Sequence, residues 1–168
     1  AGEVAIAVSG CRHLIFRTSW VFASRGGNFA KTMLRLASER DSLNVVADQF
    51  GAPTSAELIA DVTALTIYRL QHDTALAASA SGIYHLVAAG ETSWHGYAQF
   101  VISEAIRLGA PLKVQPNQVN PIPASAYPVP AARPQNSRLD TTKLRERFNI
   151  QLPNWQYHVQ RLVRELQS

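Results

Sequence analysis

The chain has 168 residues, of which 46% are hydrophobic and 17% charged, and its formal net charge is +4 at pH 7. The length suits one domain with a sizeable core, and the composition excludes a disordered chain. No apolar run approaches the roughly 20 residues that a membrane-spanning helix needs. We therefore expect no membrane partner.

The positive charge comes mainly from arginine, since thirteen of the sixteen basic residues are arginines, spread along the whole chain without a basic run. The planar guanidinium group suits diphosphates and carboxylates. The charge therefore favours an anionic small molecule over a nucleic acid. Charge that only keeps the chain in solution explains it equally well.

The first residues have the composition of a helix interior, with no capping residue and no initiator methionine before them. This start predicts a fragment whose beginning has been removed. No basic segment precedes a long apolar one, so we expect no signal peptide. The single Cys11 has no partner for an internal disulfide and suits a reducing cytoplasm.

The N-terminal half alternates helices and strands. Residues 1–9 predict the end of a helix, and residues 13–20 an apolar parallel strand. A helix follows from Asn28 to Arg40, with Asn28 as its N-cap and an apolar face at helical spacing. Residues 43–46 predict a short strand that leads into a polar turn.

The pattern continues with a Thr-x-x-Glu capping box at residues 54–57, which predicts a helix ending near residue 71. Residues 72–81 predict a loop and residues 83–87 a strand. Ser93 then caps a helix that stops at Gly109.

Seven of the nine prolines lie between Pro111 and Pro134, which predicts a long extended loop with a short strand at residues 112–115. Two helices follow, at residues 140–148 and 154–166. Two or three strands thus alternate with four or five helices, which predicts the α/β class. A doubly wound sheet needs more strands, so one sheet edge should lack its neighbours.

The sequence contains no self-contained catalytic motif: no His-Glu-x-x-His, no Gly-x-Ser-x-Gly, no Gly-x-Gly-x-x-Gly and no Tyr-x-x-x-Lys. The best candidate site is Arg17-Thr18-Ser19-Trp20-Val21-Phe22, where an apolar strand ends in small polar residues and a tryptophan. Ligands of open α/β sheets lie at the carboxyl ends of strands. The alternative is that Trp20 and Phe22 fill a core.

Five segments together resemble the second half of the dTDP-4-dehydrorhamnose reductase family, in the family's order. They are Arg17–Phe22, Gly27–Ala37, Asp48–Thr54, Gly82–Leu86 and Arg133–Leu139. The resemblance implies a truncated Rossmann-like parallel sheet plus a smaller α/β substrate-binding subdomain. Residues 1–24 would belong to the dinucleotide-binding sheet and residues 25–168 mainly to the substrate-binding portion, with residues 82–110 returning to the sheet.

The family consists of extended short-chain dehydrogenase/reductases that use NADPH or NADH to make dTDP-L-rhamnose for bacterial surface polysaccharides. Ala1-Gly2-Glu3 resembles the tail of the family's Tyr-x-x-x-Lys-x-Ala-Gly-Glu helix. The catalytic tyrosine and lysine and the glycine-rich cofactor loop would then lie upstream. The resemblance therefore implies no catalytic residue within the chain, and we expect the chain alone to be inactive.

The resemblance also implies roles for residues near the first motif. Trp20 would pack on the sugar ring, and Thr18 and Ser19 would lie near the nicotinamide and the substrate. Asn28 would bind the diphosphate at a helix N-terminus. The competing explanation for Asn28 is that it is only a cap.

Further substrate contacts are implied in the two later motifs. Arg133 and Arg138 would bind the diphosphate or the nucleotide, although either would also serve as a surface ion-pair partner. Gln49 and Thr54 would line the nucleotide pocket.

The family is described as a magnesium-bridged homodimer, and Glu57 and Glu165 fall at positions that resemble two of its metal ligands. The resemblance also implies a third carboxylate in the missing half. A hard cation needs several oxygen ligands and would keep waters. Glu57 also completes the capping box, and Glu165 is spaced to pair with Arg161.

Three rival hypotheses stay open. The first is a non-catalytic regulatory subunit of the same fold, and the second a reductase or epimerase of another nucleotide-sugar. A basic nucleic-acid-binding module is the weakest, and we expect no nucleic-acid partner.

Overall fold

The structure, a computed structural model, describes residues 2–127 and 134–167. Within these ranges the helices are α1 (Gly2–Val8), α2 (Phe29–Glu39), α3 (Ala56–His72), α4 (Thr74–Ser79), α5 (Trp94–Arg107), α6 (Thr142–Phe148) and α7 (Trp155–Gln167). The strands are β1 (Leu14–Arg17), β2 (Val21–Phe22), β3 (Leu43–Val46), β4 (Phe50–Gly51), β5 (Thr54–Ser55), β6 (Gly82–His85), β7 (Thr92–Ser93) and β8 (Val119–Ile122).

The strands form four two-stranded pairs rather than one continuous sheet. Strands β1 and β6, β2 and β5, and β3 and β8 pair in parallel, whereas β4 and β7 are antiparallel. The mixed α/β class predicted from the sequence is confirmed. The expected number of two or three strands was too low, because the strands of only two residues are too short to show a period.

The first strand is shorter than predicted. It ends at Arg17 instead of residue 20, because Trp20 adopts a left-handed backbone with φ of 49° and turns the chain out of the strand direction. In the described part of the chain, β1 has a strand partner on one side only, β6. This matches the expectation of a sheet edge without its neighbours.

Two predictions in the middle of the chain were wrong. Residues 74–79 form helix α4 instead of a loop, because the Asp73 carboxylate accepts a hydrogen bond from the Leu76 N–H and caps it. The strand expected at residues 112–115 lies later, at β8, where Pro121 is opposite Val45. Proline is tolerated in a strand at a sheet edge, where its missing N–H breaks no ladder.

The predicted capping box at residues 54–57 was also wrong by one position. Ser55 caps α3, since its hydroxyl accepts a hydrogen bond from the Leu58 N–H at 3.0 Å. The Thr54 hydroxyl instead donates to the Ala52 carbonyl and accepts from the Ala88 N–H. The caps predicted at Asn28 and Ser93 are confirmed.

The core lies around α5, which buries two of its faces. Tyr97, Val101 and Ala105 pack towards α7, and Ala98 and Ile102 pack towards α2 and β3. None of the described helices is long and apolar enough to cross a bilayer. The core thereby fixes the loops at the carboxyl ends of β1 and β6, where the candidate site lies.

Candidate ligand site

Three motifs that are distant in sequence meet at the carboxyl end of β1. The Phe50 N–H donates to the Gln135 carbonyl at 2.9 Å, and the Ser137 N–H donates to the Phe50 carbonyl at 2.8 Å. The Ser19 hydroxyl donates to the Ser137 carbonyl at 3.0 Å. The segment 134–138 is thus tied by its backbone to both of the earlier motifs.

Trp20 is half-buried at this junction and stacks on a second tryptophan. The ring centroids of Trp20 and Trp94 are 3.7 Å apart with an interplanar angle of 16°. The Trp20 carbonyl accepts a hydrogen bond from the Thr54 N–H at 3.2 Å. Trp20 is therefore neither sealed in the core nor free on both faces, because Trp94 covers one face of its indole.

The backbone of Trp20 is strained, and neighbouring contacts hold it. A left-handed backbone at a non-glycine residue costs about 1–3 kcal/mol, whereas an aromatic stack contributes about 0.5–1.5 kcal/mol. Gly51 provides a further contact, since a Cβ atom there would lie 2.7 Å from Cε2 of Trp20. The indole therefore fits only because residue 51 has no side chain.

A cleft of about 900 Å³ opens beside Trp94. Its wall combines apolar and aromatic side chains with amides and hydroxyls, including Phe29, Met33, Trp94, Asn44, Gln49 and Ser125. Gln49, predicted to line a nucleotide pocket, is in this wall and is only 8% exposed. Such a lining suits a flat, polar-edged ring.

The polar side-chain atoms of Asn28 and Thr54 form hydrogen bonds with backbone groups of the chain itself. Asn28 Oδ1 accepts from the Lys31 N–H at 3.0 Å, and its Nδ2 donates to the Ala23 carbonyl at 2.7 Å. Thr54 has no exposed surface. In this structure Asn28 therefore acts as a cap, and Thr54 contacts no open cleft.

Arg138 is exposed and held by two partners. Its guanidinium forms a bidentate ion pair with Glu91, with Nε 2.6 Å from Oε2 and Nη2 3.0 Å from Oε1. The same group lies over the Phe50 ring, 4.7 Å from its centroid. The Arg138–Glu91 ion pair borders a second cleft of about 630 Å³.

Two further predicted site residues are Arg133 and Thr18. Arg133 lies outside the described residues, and the Thr18 side chain is exposed.

Glu57 and Glu165, the two predicted metal ligands, line one narrow cleft together with His158 and Arg161. Arg161 Nε lies 3.1 Å from Glu165 Oε1, as the helical spacing predicts. Within residues 2–127 and 134–167, no group of three histidine, cysteine or acidic side chains is placed to hold a metal. Two carboxylates alone give an incomplete set for Mg²⁺.

Burial lowers the pKa of His158 below its ordinary value of 6.5, with Glu57 opposing and Arg161 adding to the shift. A neutral imidazole therefore faces the cleft of the two glutamates near neutral pH.

Sequence reasoning missed two residues of the site. Trp94 follows the predicted cap Ser93 but is not singled out as a site residue, and neither is Glu91. A stack between residues 20 and 94 leaves no periodic signal, because it depends on the loop after β1 meeting the start of α5 in space. The antiparallel pairing of β4 with β7 produces this meeting.

Comparison with known proteins agrees with these motifs. The family described as "RmlD substrate binding domain" matches residues 1–168. A dTDP-4-dehydrorhamnose reductase of Shigella flexneri is 53% identical over 166 residues, which are 99% of this chain and 54% of that protein. The enzyme of the same name from Burkholderia thailandensis is 52% identical over 99% of this chain and 56% of its own length. The chain thus spans about half the length of these relatives.

Solved structures give the same result. The dTDP-4-dehydrorhamnose reductase of Bacillus anthracis, solved in complex with NADP, superimposes with a TM-score of 0.77 at 33% identity, over 98% of this chain and 53% of that one. The Clostridium acetobutylicum protein of that name gives a TM-score of 0.75 at 29% identity, over 92% of this chain and 49% of that one. These neighbours confirm the predicted Rossmann-like α/β fold. The chain therefore belongs to the RmlD substrate binding domain family.

Proposed function

We propose that this chain forms the sugar-nucleotide side of the active site of an NAD(P)H-dependent dTDP-4-dehydrorhamnose reductase that makes dTDP-L-rhamnose. The observation that carries the proposal is identity above 50% to reductases of this name along 99% of the chain. The chain spans about half of those enzymes. We assign the proton donor and most of the binding of the nicotinamide cofactor to the other half.

Trp20, Thr18 and Ser19 follow the carboxyl end of β1, where ligands of α/β sheets bind. The bound nicotinamide supplies the hydride that reduces the C4 ketone. Trp20 packs its exposed indole surface on the sugar ring, and an indole offers both an apolar face and an N–H edge for that contact. Ser19 orients the 134–138 segment through its bond to the Ser137 carbonyl.

The nucleotide occupies the cleft of about 900 Å³ in whose wall Gln49 lies. Arg138, and Arg133 before it in sequence, bind the diphosphate. The bidentate ion pair of Arg138 with Glu91 supports this role, because it presents a guanidinium already ordered for a planar, two-oxygen anion. The diphosphate then replaces Glu91 as the partner of Arg138.

The same proposal divides the chain in two. Residues 1–24 complete the dinucleotide-binding sheet and residues 25–168 mainly bind substrate, with residues 82–110 returning to the sheet. The parallel pairing of β1 with β6 supports this division. Glu57 and Glu165 share one cleft, which supports a divalent cation bridging two subunits once a third carboxylate is supplied from elsewhere.

Calorimetry of dTDP-rhamnose binding to the 168-residue chain tests the assignment. We expect Trp20→Ala and Arg138→Ala each to weaken binding about tenfold. Arg35→Ala is the matched control, since Arg35 also pairs with an exposed glutamate, Glu39, but lies on the helix α2. Absence of binding by the native chain would remove the support for these roles.

Two further measurements test the choice of substrate and the division of the active site. Preference for UDP- or GDP-sugars over dTDP-sugars would indicate another nucleotide-sugar enzyme. We also expect the chain alone to show no NAD(P)H-dependent turnover. Robust turnover would contradict the division of the active site between two halves.

A further inference from the structure

Trp20 lies in a cradle that is formed by two neighbouring strands. Gly51 is the second residue of β4, and Trp94 directly follows β7. These strands pair in antiparallel register, with Phe50 opposite Ser93 and Gly51 opposite Thr92. The pairing places the Gly51 backbone and the Trp94 ring in contact with the same indole.

The position of Trp94 is itself fixed from two directions. The preceding Ser93 caps α5 by accepting a hydrogen bond from the Gly96 N–H at 3.1 Å. The Phe29 ring packs against the Trp94 ring, with their centroids 4.7 Å apart. Phe29 in turn follows Asn28, the cap of α2. Two helix N-termini therefore hold Trp94 in place.

The orientation of the Trp20 indole, in contrast, is not fixed by a favourable backbone conformation of its own. Its φ of 49° lies in the left-handed region, which a bulky side chain adopts only when surrounding contacts impose it. The stack with Trp94, at 3.7 Å and 16°, is the most extensive ring contact that the structure gives to Trp20. Removing the ring at position 94 therefore releases the indole.

We propose that Trp94 is the positioning residue of the Trp20 site: with Gly51 against the opposite face, it sets the orientation of the Trp20 indole and leaves the exposed edge of that indole for the sugar ring. The inference rests on the proposed function, in which Trp20 contacts the sugar. Trp94 affects affinity through Trp20, although its own ring also borders the nucleotide cleft.

A ligand-free measurement tests the positioning step. Two indoles this close give an exciton couplet in the circular dichroism spectrum of the native chain. We expect Trp20→Phe and Trp94→Phe each to abolish the couplet and Trp155→Phe to preserve it, since Trp155 packs instead against Tyr97 and Phe100. A native chain without the couplet, or one that keeps it in Trp94→Phe, would overturn the proposal.

Binding of dTDP-rhamnose to matched variants tests the consequence. Trp94→Phe keeps a planar ring, whereas Trp94→Leu has a similar volume and no ring. We expect near-native affinity for the former and about five- to tenfold weaker binding for the latter. In a Trp20→Ala background the two variants should bind equally. If Trp94→Leu does not fold, Trp94→Met is the ringless variant.

The outcomes are distinct. Native affinity in Trp94→Leu, or the same loss in the Trp20→Ala background, would overturn the positioning role. If the native chain binds no dTDP-sugar, the proposed function fails. The couplet then tests whether Trp94 stacks on Trp20, which the positioning role requires.

Discussion

The Ser19 hydroxyl donates a hydrogen bond to the Ser137 carbonyl at 3.0 Å, which joins the loop after β1 to a segment 118 residues away in sequence. Ser137 also donates its N–H to the Phe50 carbonyl. Ser137 thereby connects the loop after β1 to strand β4. Removing the Ser19–Ser137 hydrogen bond therefore tests whether the candidate site is assembled as described.

Replacing Ser19 with alanine should destabilise the chain by about 1 kcal/mol, because the half-buried Ser137 carbonyl loses its side-chain donor. Urea denaturation measures the change. Ser38→Ala is the control, since the Ser38 hydroxyl bonds only to the nearby Arg35 carbonyl on the exposed face of α2. An equal loss in both variants would contradict a specific role for the long-range bond.

Gly51→Ala should displace the Trp20 indole and cost about 1–3 kcal/mol. The reason is steric, since the added Cβ would lie 2.7 Å from Cε2 of Trp20. Gly27→Ala is the matched control, because nothing lies within 4 Å of a Cβ at that position. Chemical denaturation, with tryptophan emission as the second readout, distinguishes the two. Unchanged stability and emission in Gly51→Ala would show that the indole lies elsewhere.

Asn28→Ala should lower stability by about 1–2 kcal/mol, because α2 loses its cap. Asn28→Asp keeps the acceptor for the Lys31 N–H but loses the donor to the Ala23 carbonyl, so its loss should be smaller. The Asn28→Asp variant also distinguishes a helix cap from a diphosphate contact by its affinity for a dTDP-sugar. If Asn28 contacts a diphosphate, the added negative charge weakens dTDP-sugar binding, whereas a pure cap leaves affinity unchanged.

His158 should make the chain less stable in mild acid. Its pKa is lowered mainly by burial, so the folded chain binds the proton less readily than the unfolded chain does. The stability contributed by the neutral imidazole is therefore fully present above about pH 6.5 and is lost as the pH falls through the lowered pKa.

Thermal denaturation of the native chain and of His158→Gln at about pH 7.5 and 5.5 checks this sign. We expect a smaller fall in Tm for the variant. His72→Gln, which changes an exposed histidine at the end of α3, should behave like the native chain. A native chain that gains stability on acidification would refute the direction.

Local patterns predicted the helices well. Helix α2 and its cap at Asn28, and helix α5 with its cap at Ser93, follow from helical spacing and from one capping residue each. The cap of α3 was misplaced by one position because Thr54 and Ser55 are both capping residues. Only the fold determines that the Thr54 hydroxyl meets the Ala88 N–H.

The site was predictable in its location but not in its contacts. The location of the candidate site after an apolar strand follows from the sequence, although the strand ends three residues earlier than predicted. The stack of Trp20 on Trp94 depends on the pairing of β4 and β7. Each of these strands has two residues, which is too short for any periodic signal. Glu91, the bidentate partner of Arg138, lies 47 residues before it in sequence and was missed because only the fold brings the two side chains together.

The left-handed backbone at residue 20 has a consequence for how this surface can change over time. Glycine or asparagine would relieve the backbone but would leave a gap of indole size beside Trp94, while leucine or valine would suit neither the backbone nor the stack. We therefore expect few other residues to be tolerated at position 20. Under the proposed function, a change of sugar specificity would therefore involve neighbours with ordinary backbones, such as Thr18 and Ser19.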